Sequence, residues 1–161
     1  ASLAMYRLVS KLQDEELRAW GDELVALAQG PLQRQRALVA AARAHNHPRD
    51  GERAAALAAE ALALARTLGD RAGALRAARQ QALADMHLGR PAAALERFEA
   101  EDPLAGVALL DPQEQAGTWI DYAWVLAYAD QRERSLRESD AAIALARRGP
   151  YPVDLSTALS N

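Results

Sequence analysis

Small residues return at a fixed interval along this chain, and that interval constrains the fold more than any other feature. Ala42, Ala82 and Ala123 are spaced by 40 and 41 residues. Twelve residues after each stand Ala54, Ala94 and Ser135, and seven further on stand Ala61, Glu101 and Ala142. Four residues before the first alanine come Leu38, Ala78 and Trp119. A small side chain at a regular place lets two helix axes come close there. A helix pair that cannot bury its apolar faces alone then buries them against the next pair.

Composition agrees with helices and with nothing else. Alanine fills 39 of the 161 positions and leucine 24, whereas aromatic residues number eight. Glycine and proline mark ends: Gly30-Pro31, Gly69-Asp70, Leu88-Gly89-Arg90-Pro91 and Gly149-Pro150. Glycine supplies the left-handed residue after a helix, and proline tolerates the first turn of the next one. Asp111-Pro112-Gln113-Glu114 and Asp130-Gln131-Arg132-Glu133 place an acid and a glutamate at the spacing of a capping box. The chain therefore predicts an all-α fold with helices at 3–12, 14–29, 32–46, 51–68, 71–88, 91–101, 113–129, 132–148 and near 153–160. Residues 103–111 form the longest connection, with Val107, Leu109 and Leu110 packing back over the helix ends.

The small residues at 12- and 7-residue spacing, with Gly89 between helices, resemble the tetratricopeptide repeat (TPR) family. Ala82, Gly89, Ala94 and Phe98 match its pattern, and Trp119 matches its early tryptophan. Glu60–Ala78 is similar to the long-repeat variety found in bacterial signalling proteins and in transcription regulators of the LuxR/MalT type. Arg49 and Asp130 stand where the family has glycine, and Glu101 where it has alanine. The resemblance implies a right-handed helical-hairpin solenoid in one domain. Its parts are an N-terminal degenerate repeat or cap (1–30), three repeats (31–69, 70–111 and 112–149) and a C-terminal cap or next repeat (150–161).

Chemistry is sparse. No cysteine is present, so disulfides and thiolate chemistry are excluded. The one lysine, Lys11, follows serine rather than the glycine of a phosphate-binding loop, and no G-x-S-x-G elbow occurs. Gly69–Gly73 is too short for a dinucleotide fingerprint, and carboxylates at helix starts serve the helix dipole. His45-Asn46-His47 near Asp50 reads as a polar helix end before it reads as a metal site. A net charge of −3 gives no overall basic field for nucleic acid. No apolar run reaches the length of a membrane span. Eighteen arginines against one lysine, with so much alanine, point to a GC-rich bacterial genome; the missing initial methionine points to a piece of a longer, cytoplasmic protein.

The resemblance also implies a concave groove lined by the first helix of each pair. Its positions would be Arg36, Val39, Arg43, Asn46 and His47, then Arg76, Arg79, Leu83, Met86 and His87, then Gly117, Ile120, Trp124, Ala127 and Tyr128. Eight of these carry the expected binding: Arg36, Arg43, His47, Arg76, Arg79, His87, Trp124 and Tyr128. The expected partner is a protein or peptide segment, acidic with an apolar anchor, bound without catalysis, cofactor, metal or direct nucleic-acid contact. A small-molecule effector in the same groove is the alternative.

Overall fold

This computed structural model describes residues 2–148, and side chains within 14–147. Every regular element among them is helical: α1 (Ser2–Leu27), α2 (Pro31–His45), α3 (Gly51–Leu68), α4 (Arg71–His87), α5 (Pro91–Glu99), α6 (Pro103–Gly106), α7 (Pro112–Tyr128) and α8 (Arg132–Arg148). Each of α1 to α4 packs on the next, as do α4 on α5 and α7 on α8. Beyond these neighbours, α2 packs on α4, and α4 and α5 both pack on α7.

The punctuation in the sequence sets most of the boundaries. Gly30, Gly69 and Gly89 all take positive φ, and Pro31, Pro91 and Pro112 each open a helix. The Asp70 carboxylate accepts from the Gly73 amide at 2.9 Å, and Asp111 accepts from those of Gln113 and Glu114 at 3.0 Å. Asp130 behaves otherwise than its capping-box spacing suggests. It holds φ 60°, close to the 71° of Gly89 one repeat earlier, and so supplies the left-handed residue of the turn. Aspartate is among the few non-glycine residues that tolerate this region.

Three further expectations are corrected. Residues 3–29 do not form two helices: α1 runs unbroken to Leu27, because Gln13-Asp14 contains neither glycine nor proline. An interior aspartate costs only about 0.7 kcal/mol of helix propensity. The 103–111 connection is itself helical in α6 and in a following 3-10 turn, Val107–Leu109. Val107 and Leu110 are buried there, but Leu109 faces solvent. The helix expected near 153–160 lies outside the described residues.

The recurring small positions are where the helices meet. Leu38, Ala42, Ala54, Ala61, Ala78, Ala82, Ala94, Ala123 and Ala142 are all buried. Ser135 donates its hydroxyl to the Ala123 carbonyl at 2.8 Å, and Glu101 forms an ion pair with Arg66 instead of packing. One buried cluster joins α2, α3 and the start of α4 through Leu38, Leu57, Leu62 and seven alanines. A second joins α4, α5 and α7 around Phe98 and Tyr122, whose ring centroids lie 5.2 Å apart.

Candidate functional site

The positions expected to face a groove lie on α2, α4 and α7, which pack against one another in that order, except Asn46 and His47, which follow the end of α2. Arg36 and Arg43 project from α2 two turns apart, exposed, with the half-buried Val39 between them. With Gln35, Ala40 and Arg76 they border an open cleft of about 350 Å³. An adjoining cleft of about 240 Å³ is lined by Val39, Arg43, Arg76, Arg79, Gln80, Glu114 and Gly117, among others. Four of the expected arginines thus share one surface.

They do not share one electrostatic role. Arg76 donates from Nε and Nη2 to the two carboxylate oxygens of Glu114, at 2.7 and 2.6 Å. This two-pronged hydrogen bond, outweighing the cost of burial, holds the guanidinium pKa above its ordinary value. Arg79 Nε donates to Asp121 at 2.6 Å, and both side chains are about one-fifth exposed. Gly117 makes room for this guanidinium: a Cβ there would stand 3.0 Å from Arg79 Nη2. Both arginines therefore fasten α4 to α7, and the expected run of four available positive charges shrinks to Arg36 and Arg43. The partners were visible as spacing, since Arg76–Glu114 and Arg79–Asp121 are 38 and 42 residues apart, each within two of a repeat.

The other half of the surface is aromatic. The rings of His87 and Trp124 lie 6.3 Å apart edge-on, and those of Trp124 and Tyr128 lie 5.4 Å apart in the same manner. Tyr128 is 63% exposed, the largest solvent-facing aromatic on α7. His47 is exposed and accepts from the Arg49 amide at 3.2 Å. Asn46 Nδ2 donates to the carbonyl and the side-chain oxygen of Gln80 at 3.2 and 3.3 Å, tying the end of α2 to α4. Gln80 also lines the arginine cleft, so the two halves are contiguous.

Burial, and then the neighbouring charge of His47, lower the His87 pKa below its ordinary 6.5, against a backbone hydrogen bond to Asn46 that raises it. A histidine whose folded pKa is depressed binds fewer protons than the unfolded chain, so its contribution is complete above about pH 6.5 and lost as pH falls through that region. Wild type and His87→Gln are expected to diverge in Tm between pH 7 and pH 5, with the variant losing less. Parallel curves in a pH series of thermal melts refute this.

Several polar side chains outside the expected groove turn out to be fasteners as well. Tyr122 is buried and donates to Glu99 at 3.0 Å, while Arg134 donates to both. Burial first, then Glu99, pushes the Tyr122 pKa up to about 12. Asp85 is 1% exposed and accepts from Arg97 Nε at 2.6 Å. His45, buried at the end of α2, has Nε2 3.3 Å from Asp22 of α1 and Nδ1 3.8 Å from Asp50. Each ties one helix to another through pairs of side chains, which no local pattern announces. Among the described residues no three metal-ligating side chains converge, and no helix is long and apolar enough to cross a membrane. Compared with known proteins, the chain matches no family model and no curated protein.

Proposed function

We propose that this domain is a non-catalytic interaction module that binds a protein segment across the face of α2, α4 and α7. The observation that carries the reading is the Trp124–Tyr128 pair. Trp124 is gripped between two rings, while Tyr128 offers most of its surface to solvent. Aromatic side chains held rigidly and left partly uncovered are what binding hot spots are made of. Arg36 and Arg43, without carboxylate partners among the described residues, stand ready for an acidic residue of the same segment. The partner in this reading is a short segment with an apolar or aromatic anchor and one or two acids, and no cofactor is needed.

A TPR-like stack is the architecture proposed for the module. Its support is the recurrence of buried small residues at 40–41 and the matching left-handed turns at Gly89 and Asp130. The proposed setting, supported by the long-repeat resemblance alone, is a larger bacterial transcription regulator or signalling protein of the cytoplasm. The test uses the domain as bait in extract from its source organism. A bound protein is expected to be retained by wild type and by Ala59→Glu, an exposed change on α3. It is expected to bind about tenfold more weakly to Trp124→Ala, the effect of losing one anchor. Arg36→Ala with Arg43→Ala costs less, and the cost shrinks in high salt. Binding untouched by all three substitutions, with helical content intact, sinks the reading.

A further inference from the structure

A second surface lies on α1, away from the aromatic pair. Its inner side is accounted for: Gly21 is buried against α2, where a Cβ would come within 2.9 Å of the Ala41 backbone, and Val25 packs on the first core cluster. Its outer side is apolar and uncovered, with Leu17 50%, Trp20 58%, Leu24 51% and Leu27 67% exposed. At 100° per residue these four fall within an arc of about 80°, over a length of about 15 Å. Such a stripe is the seam of an amphipathic helix, not a scatter of surface leucines.

The charges beside the stripe narrow what can cover it. Glu16 and Glu23 flank it on the side away from α2, exposed and seven residues apart, with no ion pair among the described residues. Two nearby cations are already engaged, Arg18 with Asp50 at 3.3 Å and Arg53 with Asp22 at 3.2 Å, while the unpaired Arg43 borders one cleft with Leu17 on the α2 side. The rim on the side away from α2 is therefore acidic. A second copy docking antiparallel by the same stripe sets Glu16 of one chain beside Glu23 of the other, a like-charge contact.

We propose that the outer face of α1 is a docking surface for a basic amphipathic helix of about three turns. Its apolar side covers Leu17, Trp20, Leu24 and Leu27, and arginines or lysines seven residues apart meet Glu16 and Glu23. The geometry is helix against helix, with leucines on the incoming helix filling the gaps around the Trp20 indole. The proposal uses neither the aromatic pair nor the arginines of the α2–α4–α7 reading, although Leu17 and Arg43 border one cleft.

Three labelled helical peptides test it by fluorescence anisotropy. The first has leucines in a 3-4-3 pattern and an arginine rim; the second replaces the arginines by glutamate; the third scrambles the first so that no seam forms. The first is expected to bind at least about tenfold more tightly than the other two. Trp20→Ser removes that advantage, and Glu16→Arg with Glu23→Arg transfers it to the glutamate peptide. All three positions are exposed, and unchanged melting of the variants establishes that they fold. Equal binding of the seamed and scrambled peptides overturns the proposal, as does indifference to Trp20→Ser. Loss of binding in Trp124→Ala overturns it too, because the peptide then occupies the other face. A sedimentation dimer that Trp20→Ser dissolves assigns the stripe to a second copy and likewise overturns it.

Discussion

Ala82→Glu is expected to abolish the cooperative thermal transition of this domain, or to lower its Tm by roughly 10–20 °C. Ala82 has no exposed surface and sits in the cluster that also holds Ala94 and Phe98 of α5. A glutamate there is four heavy atoms too large for the space and brings a carboxylate away from water. Overpacking alone costs about 1–3 kcal/mol, and desolvating an unpaired charge costs about as much again or more. A loss on the order of 5 kcal/mol matches the whole stability of many domains. Ala59→Glu is the control: it adds the same side chain to the exposed face of α3 and should leave Tm within a few degrees. Circular dichroism melts decide the matter, and an Ala82→Glu transition close to wild type shows that α4 does not meet α5 as described.

Arg97→Met is expected to cost about 2–3 kcal/mol by denaturant unfolding, and Asp85→Leu with Arg97→Met to recover most of that. Asp85 is the most deeply buried carboxylate among the described residues, with Arg97 its close partner and Arg90 Nη1 3.9 Å away. Removing one member of a buried pair strands the other, whereas replacing both by apolar groups removes the desolvation problem. The expected loss is at the low end of such cases because the Arg97 side chain is 45% exposed and Arg90 can move closer. If the double substitution is as damaging as the two singles added together, the pair is not coupled and Asp85 is held by something other than Arg97.

How much of this was legible follows from which interactions are local. Helix ends at Gly30, Gly69, Gly89 and Pro112 could be read because each depends on one or two residues whose backbone preferences are intrinsic. The small positions at 42, 82 and 123 could be read because close approach of two helices excludes larger side chains whichever partner is involved. The continuity of α1 was missed because Asp14 looks like a cap unless the residues before it are asked whether anything stops them. The roles of Arg76 and Arg79 were missed for the opposite reason. Their phase within the repeat was right and brought them to the expected surface, but their charge was already answered by Glu114 and Asp121 on the next helix. A phase locates a side chain; whether it is engaged depends on what the next repeat carries near the same phase. Asp85 and Tyr122 lay beyond both kinds of reading, and His45 was legible as a polar helix end but not as a contact of Asp22 on α1.

The alanine packing described above has a mechanical consequence. A methyl group has no χ angle that reorients it, so where Ala41, Ala42, Ala58, Ala61, Ala74 and Ala77 meet, only the three leucines of the cluster, Leu38, Leu57 and Leu62, can absorb a change by turning aside. A leucine core accommodates an added methylene by local rearrangement; here, with three leucines among seven alanines, most of the added volume pushes on the helix axes. The spacing of α2 from α4 is consequently gauged by methyl contacts at the back, and the distance from Arg43 to Arg79 at the front follows that gauge. Conservative substitutions such as Ala→Val at these hidden positions act as shims, widening the front surface without touching any residue on it.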